Sequence, residues 1–443
     1  MHLIVCSVAS LIIACWAQRG GVGSPHPFKA SFGDSPAPFM IDVDHEFIQE
    51  TLQRVRLTRS PGELNQPELV DGPPVRVALA VRDHWIKDYD WFQTQHALND
   101  QFTQFTTTVS MPADCRYTAP VPLHFIHHKS DHEGAIPLLF IHGWPGSFLE
   151  VGPLLPYLLD PPNASAPAFH VVAPSIPGFA FSPAPTQPGF GYIEAAHAFD
   201  ALMRQLGYSQ YVLQAGDAGG LIMRYQAHLY PSSVVSGLNN FWVVSPEISD
   251  LERYHAKEAS DDEVAIIERM QFFISEHWGY GQIQQTRPLR LAHALTDSPV
   301  GLAIWIYDGL WPAVWDLSVL TAQEIITWTM MHWIQGPYGA LSIYKQGGPL
   351  GGGFNATHFT PLPYVHQPMA ISEFPKDLWY RTPLEWTQRT GNVKVRYLHE
   401  TGGHFPAWEN PELLAKDIWS FFGDKELSGM NVFQRYGERK GEL

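Results

Sequence analysis

Only three cysteines occur in 443 residues, and the chain is poor in charge as well. Cys6 and Cys15 fall in an N-terminal segment of distinct composition, leaving Cys115 alone, so neither a disulfide framework nor a thiolate metal site can be built. Charged residues make up 16% of the chain, without any run of Lys or Arg, and the formal net charge is −16. Such a surface has no electrostatic footprint for phosphate backbones, which removes nucleic acid from the expected partners. Past the first 17 residues no apolar stretch is long enough to span a bilayer. What remains is 45% hydrophobic and rich in rings, with 15 Trp, 17 Tyr and 25 Phe. That composition supports a large core, more than one compact unit and apolar pockets walled by aromatic side chains.

The N-terminus carries an apolar run from Leu3 to Ala17, followed by Gln18-Arg19-Gly20-Gly21 and a Pro-rich polar stretch. Residues 1–18 are therefore expected to be a secretory signal, with Cys15 and Ala17 small enough to flank a cleavage site. A membrane anchor in the endoplasmic reticulum is the alternative, since no Lys or Arg precedes the run. Two sequons, at Asn163 and Asn355, agree with passage through the secretory pathway. Membrane association through the N-terminus stays open, as does the oligomeric state.

From residue 39 to 120 the chain lacks regular strand-helix alternation and reads as a meander packed on the main domain. Helices are expected at Phe47 to Val55, capped by Asp44, and at Val75 to Trp85. Alternation begins near Leu123: strands at Leu123 to His127, Ile136 to Ile141 and Phe169 to Ala173, then a helix from Ile193 to Leu206. The next apolar run, Tyr211 to Ala215, stops at Gly216-Asp217-Ala218-Gly219-Gly220, and Leu221, Ile222, Tyr225 and Leu229 continue at helical spacing. Asp217 thus sits on a sharp strand-to-helix turn fenced by small residues. In the α/β-hydrolase fold such a turn carries the nucleophile, and a carboxylate there attacks an alkyl carbon to give an ester. The expected architecture is α/β, a mostly parallel sheet with core segments 121–244 and 346–443 separated by a helical cap at 245–345. A strand is expected at Asn240 to Val244, and the Gly/Pro-rich loop Gly347 to Pro363 is expected to line the site.

The remaining candidates follow from chain order. His142-Gly143-Trp144-Pro145-Gly146 ends a buried strand, where the loop supplies one oxyanion donor, the Trp144 N–H; the residue after the nucleophile, Ala218, supplies the other. His404 lies on a Gly-rich loop past the Val393 to Leu398 strand, the place of the general base. Its acid partner must lie between the turn and His404: Asp377 fits best, with Glu373 as rival and Glu247 as an outsider.

Taken together, Asp90-Trp91, the His142 to Phe148 motif, the Asp217 turn, Gly279-Tyr280, Thr286-Arg287-Pro288, Leu295 to Ala303, Phe374-Pro375-Lys376-Asp377 and Gly402 to Glu412 make the chain resemble microsomal-type epoxide hydrolases. The resemblance runs from about Phe39 to Phe422. It implies conversion of an epoxide and water to a vicinal diol through an ester on Asp217, with no cofactor and no metal. It also selects Asp377 over Glu373, because the family's acid follows a Phe-Pro pair. Two cap tyrosines polarise the epoxide oxygen in that family. Tyr344 matches one; for the other, Trp305 holds the expected slot and Tyr307 lies two positions on, about 200° around a helix. The family's elbow reads Gly-Gly-Asp-Trp-Gly, whereas Ala215 and Ala218 stand here and an indole wall is missing beside the nucleophile. Alternatives are a pathway-specific epoxide-opening cyclase, a haloalkane dehalogenase with the same nucleophile, and a ligand-binding relative without turnover. The role of the expected enzyme, detoxification or secondary metabolism, is left open.

Overall fold

Fully buried, almost uninterrupted apolar runs form the centre of the sheet, because strands covered by helices on both faces need no polar side. In the computed structural model, which describes residues 26–163, 166–347 and 362–432, nine strands form one sheet. In chain order they are β1 (Ala37–Phe39), β2 (Gln104–Val109), β3 (Val121–His128), β4 (Ile136–Ile141), β5 (Phe169–Pro174), β6 (Tyr211–Ala215), β7 (Val234–Asn239), β8 (Val365–Glu373) and β9 (Gly391–Leu398). Their spatial order is β1-β2-β3-β5-β4-β6-β7-β8-β9. Pairing is antiparallel from β1 to β5 and parallel from β5 to β9. The proposed signal or anchor at 1–18, the Asn355 sequon and most of the 347–363 loop lie outside the described residues. Among those described, no helix is long and apolar enough to cross a membrane.

The N-terminal region is more regular than a meander. Helices α1 (His45–Arg56), α2 (Val75–Lys87) and α3 (Trp91–Gln101) lie between two strands that extend the central sheet. Asp90 starts α3 by accepting hydrogen bonds from the Phe92 and Gln93 N–H groups at 2.8 and 3.2 Å. These elements also hold the cap: the Trp333 indole donates to Thr51 Oγ1 at 2.8 Å, and Arg54 pairs with Asp297 at 2.5 Å. Three elements here were not expected: α3, whose WFQTQHALNDQ sequence mixes rings with polar residues, β1, which is three residues long, and β2, a polar QFTTTV run.

In the core, α4 (Tyr192–Gln205) precedes β6, and α5 (Asp217–Leu229) follows it directly. Ile141 on β4, Ala215 on β6 and Asn239 on β7 stand in register at the carboxyl edge. The chain leaves β4 toward β5 on one side while β6 lies on the other, so a crevice opens at this edge where connections diverge. The strand expected at Asn240 to Val244 is in fact β7, which ends before it. Asn239 Oδ1 accepts the Phe241 N–H at 2.6 Å and its amide donates to the Gly220 carbonyl at 3.2 Å, turning the apolar Phe241 to Val244 stretch out of the sheet.

The cap comprises α6 (Ile248–Ala256), α7 (Asp261–Phe272), α8 (Gly279–Thr286), α9 (Pro288–Asp297), α10 (Pro299–Leu310), α11 (Ala322–Trp333) and α12 (Tyr338–Gln346). Ser260, Ser298 and Thr321 cap α7, α10 and α11 with side-chain hydrogen bonds to the first turns. After β9, α13 (Pro411–Gly423) closes the core.

Candidate active site

Asp217 adopts φ +47°, a left-handed conformation that costs a non-glycine residue energy and is tolerated where the surroundings fix it. Two contacts fix it here. A Cβ at Gly219 would stand 2.1 Å from the Ile141 carbonyl oxygen, and one at Gly143 would stand 2.2 Å from Asp217 Oδ1. Only glycine at both positions lets β4, its following loop and the elbow approach this closely. The Trp144 N–H then donates to Asp217 Oδ1 at 2.8 Å. Ala218 follows in the first turn of α5, where backbone N–H groups have no intrahelical acceptor.

His404 is presented by the loop after β9. Its Nε2 lies 3.3 Å from Asp217 Oδ2, and its Nδ1 lies 2.5 Å from Asp377 Oδ2. Asp377, buried at the turn after β8, has its other oxygen occupied by the Trp379 N–H at 2.8 Å. The His404 backbone is fixed at both ends, its N–H donating to the Ala313 carbonyl at 2.8 Å and its carbonyl accepting from Asn240 Nδ2 at 3.3 Å. Phe241 and Phe405 stand edge-on to the imidazole at 5.0 and 4.7 Å. Burial opposes charge on this ring, yet hydrogen bonds and Coulomb attraction from Asp217 and Asp377 outweigh it and push the pKa up to about 10. The resting arrangement of the three groups favours an imidazolium held between Asp217 and Asp377.

Opposite Asp217 the cap presents two phenols. Tyr280 on α8 and Tyr344 on α12 stand side by side, their rings edge to face with centroids 6.1 Å apart. Tyr280 stacks on Trp144 with centroids 5.1 Å apart, and Tyr344 meets the same indole edge-on at 6.0 Å. Burial, with the Asp217 charge adding to it, pushes both phenols further above their ordinary range, so both stay protonated donors. A cavity of about 900 Å³ connects these groups, lined by Asp217, Ala218, His404, Tyr280, Tyr344 and further aromatic and aliphatic side chains. Among the described residues no group of three or more His, Cys, Asp and Glu is placed to ligate a metal.

Residues 36–151 match the family model described as epoxide hydrolase N terminus, and residues 136–251 match that of the alpha/beta hydrolase fold. Epoxide hydrolase 1 of Sus scrofa is 30% identical over 424 residues, which span 89% of this chain and 90% of the pig protein. This chain belongs to the epoxide hydrolase family. The juvenile hormone epoxide hydrolase of Bombyx mori is likewise 30% identical, over 90% of this chain and 89% of its own. Among solved structures, Aspergillus niger epoxide hydrolase superimposes with a TM-score of 0.74 at 27% identity, covering 90% of this chain and 98% of that one.

In this epoxide hydrolase, Asp217, His404, Asp377, Trp144, Ala218 and Tyr344 come together as one constellation. Glu373 does not join it: its carboxylate is paired with Arg396 and accepts the Arg381 N–H at 2.6 Å. Glu247 is exposed and lies 3.9 Å from Arg389. Neither Tyr307 nor Trp305 lines the cavity. The Trp305 indole donates to Gln284 Oε1 at 3.1 Å, and half-buried Tyr307 lies near Arg76 and Glu68 of the N-terminal region. The second cap hydroxyl facing Asp217 is that of Tyr280 on α8, two helices before the expected position on α10. Its motif, Gly279-Tyr280, was visible in the sequence; what was missing was which cap helix turns its face to the cavity. Asn163 is exposed in the loop before β5, its Oδ1 accepting the Ala166 N–H at 3.0 Å.

Proposed function

We propose that this enzyme opens its epoxide by covalent catalysis on Asp217. The observation that carries this reading is the placement of Asp217, with Oδ1 held by the Trp144 N–H, Oδ2 by His404, and paired phenols across the cavity. Asp217 Oδ2 attacks an epoxide carbon, the C–O bond of the ring breaks, and Tyr280 and Tyr344 hydrogen-bond the departing oxygen, which takes a phenol proton to become one hydroxyl of the product; the proton that His404 gives up as Asp217 loses its charge restores the phenol. His404 cannot act as a base while it is an imidazolium. Esterification turns Asp217 into a neutral group and removes one of the two anions that raise the His404 pKa, so the ring is released to accept a proton from water in the second step. Water adds to the ester carbonyl, Trp144 and Ala218 N–H groups hold the oxyanion, and collapse expels the diol with its proton. The paired hydroxyls favour an oxygen leaving group over a halide.

The volume and apolar lining of the cavity support an epoxide with bulky apolar substituents, in keeping with relatives named juvenile hormone epoxide hydrolase. Passage through the secretory pathway, with N-glycosylation at Asn163, is part of the same proposal; expression in a eukaryotic host and an endoglycosidase mass shift test it.

Single turnover in 18O-enriched water with excess enzyme tests the ester. Label is expected in Asp217 and not in the first diol. Label in the first diol would mean direct attack by water and would overturn the covalent reading.

A further inference from the structure

Glu150 is a buried carboxylate that the steps above leave without a role. It lies on the single 3-10 turn Phe148–Val151, directly after the loop that supplies the Trp144 donor. Only 7% of its surface is exposed. Its carboxylate lies against that loop, close enough for the backbone of Gly143 and Ser147 at its two ends to act on its charge. Oε1 is buried and has no protein partner. A Cβ at Gly146 would stand 1.6 Å from Oε1, just as one at Gly143 would stand 2.2 Å from Asp217 Oδ1. The two carboxylates therefore rest on one five-residue loop at points where only a glycine leaves room, and an isolated buried carboxylate oxygen is costly unless something hydrogen-bonds it.

Building on the ester mechanism, we propose that Glu150 is a positioning residue for its second half, in which Oε1 holds the water that His404 activates against the Asp217 ester. The attacking water has two hydrogens. One passes to His404 Nε2 as the water oxygen forms its bond to Asp217 Cγ; the other needs an acceptor that keeps the lone pair aimed at that carbon. Glu150 Oε1 supplies that acceptor and is not consumed. When the tetrahedral centre collapses, the bond from Asp217 Cγ to the substrate oxygen breaks and that oxygen takes the proton back from His404. The charges fit this order. In the resting enzyme burial first, then repulsion by Asp217, pushes the Glu150 carboxyl up to about 8, while His404 opposes this. Once Asp217 is esterified its repulsion is gone, which draws Glu150 toward the anionic form that accepts best, while neutral His404 returns part of that shift, so the acceptor role rests on the position of Oε1.

The experiment separates the two half-reactions by rapid quench with a racemic aryl epoxide. Glu150→Gln keeps the side chain's size and one acceptor for the loop. Ester formation is expected within about 2-fold of wild type and ester hydrolysis slowed about 10-fold to 100-fold, the scale of misplacing one reactant. Glu150→Met, which fills the space without a hydrogen-bonding group, is expected to show the same split. Equal slowing of both steps would assign Glu150 to loop structure alone, and unchanged hydrolysis in a folded variant would remove it from the mechanism; either overturns the proposal. Failure of the wild-type enzyme to form any ester would instead strike the covalent reading on which this one stands.

Discussion

Tyr280 and Tyr344 reach the cavity from different cap helices and pack edge to face, ring centroids 6.1 Å apart, both with their rings against Trp144. The indole whose backbone N–H holds the nucleophile thus also supports both phenols. A shift of the oxyanion loop would move the donors with it.

Removing either hydroxyl deletes a hydrogen bond that strengthens as charge develops on the epoxide oxygen. Tyr280→Phe and Tyr344→Phe are each expected to slow ester formation about 10-fold to 1000-fold. Tyr307→Phe, which changes a ring outside the cavity, is expected to leave that rate unchanged. Single-turnover rates for the three variants check this; a slow Tyr307→Phe beside a normal Tyr280→Phe would place the donor on the wrong helix.

That prediction marks the boundary of what the sequence discloses. The Asp217 elbow is legible because an apolar strand stops at an acid between small residues, and close packing of β4 against the elbow demands Gly143 and Gly219. His404 follows from its place past the last strand. The cap is different: periodicity locates α8 and α10, yet which of them faces Asp217 depends on long-range docking against α12 and the N-terminal helices. Trp305 was the expected slot, and its pairing with Gln284 is a contact between two helices that no local pattern encodes. The register of β7 was hidden for a similar reason, since VVSGLN is broken by Ser236 and Gly237 while the irregular segment after it is more apolar.

The two steps should respond to pH in different ways. In the free enzyme His404 has its pKa raised to about 10, so ester formation, which needs an ionised Asp217 and no free base, is expected to stay flat with rising pH until His404 deprotonates. Ester hydrolysis needs neutral His404 with one anionic partner fewer, so its rate is expected to rise with pH and level off well below 10. Stability follows the sign of the same shift: a raised imidazole pKa contributes fully below about 6.5 and is lost as pH climbs toward the folded value. Rapid-quench profiles of the two steps and thermal unfolding against pH, compared with His404→Gln, check these directions.

Ala218 leaves space on the α5 wall beside the nucleophile, next to Leu221 and Tyr225. Ala218→Trp keeps the backbone donor and fills that space. It is expected to lower kcat/KM for bulky epoxides by about 10-fold or more, while small terminal epoxides lose little, as expected for a change in pocket volume rather than in the reacting groups. Equal losses for both classes would place the substrate elsewhere in the cavity.

The covalent role of Asp217 is tested most directly by trapping. In His404→Gln the first step retains its nucleophile and donors and the second lacks its base, so intact-protein mass spectrometry after mixing with an epoxide should show the protein heavier by one substrate, with the adduct mapped to Asp217. A folded His404→Gln protein that turns over normally without gaining mass, or an adduct on any other residue, would contradict the account.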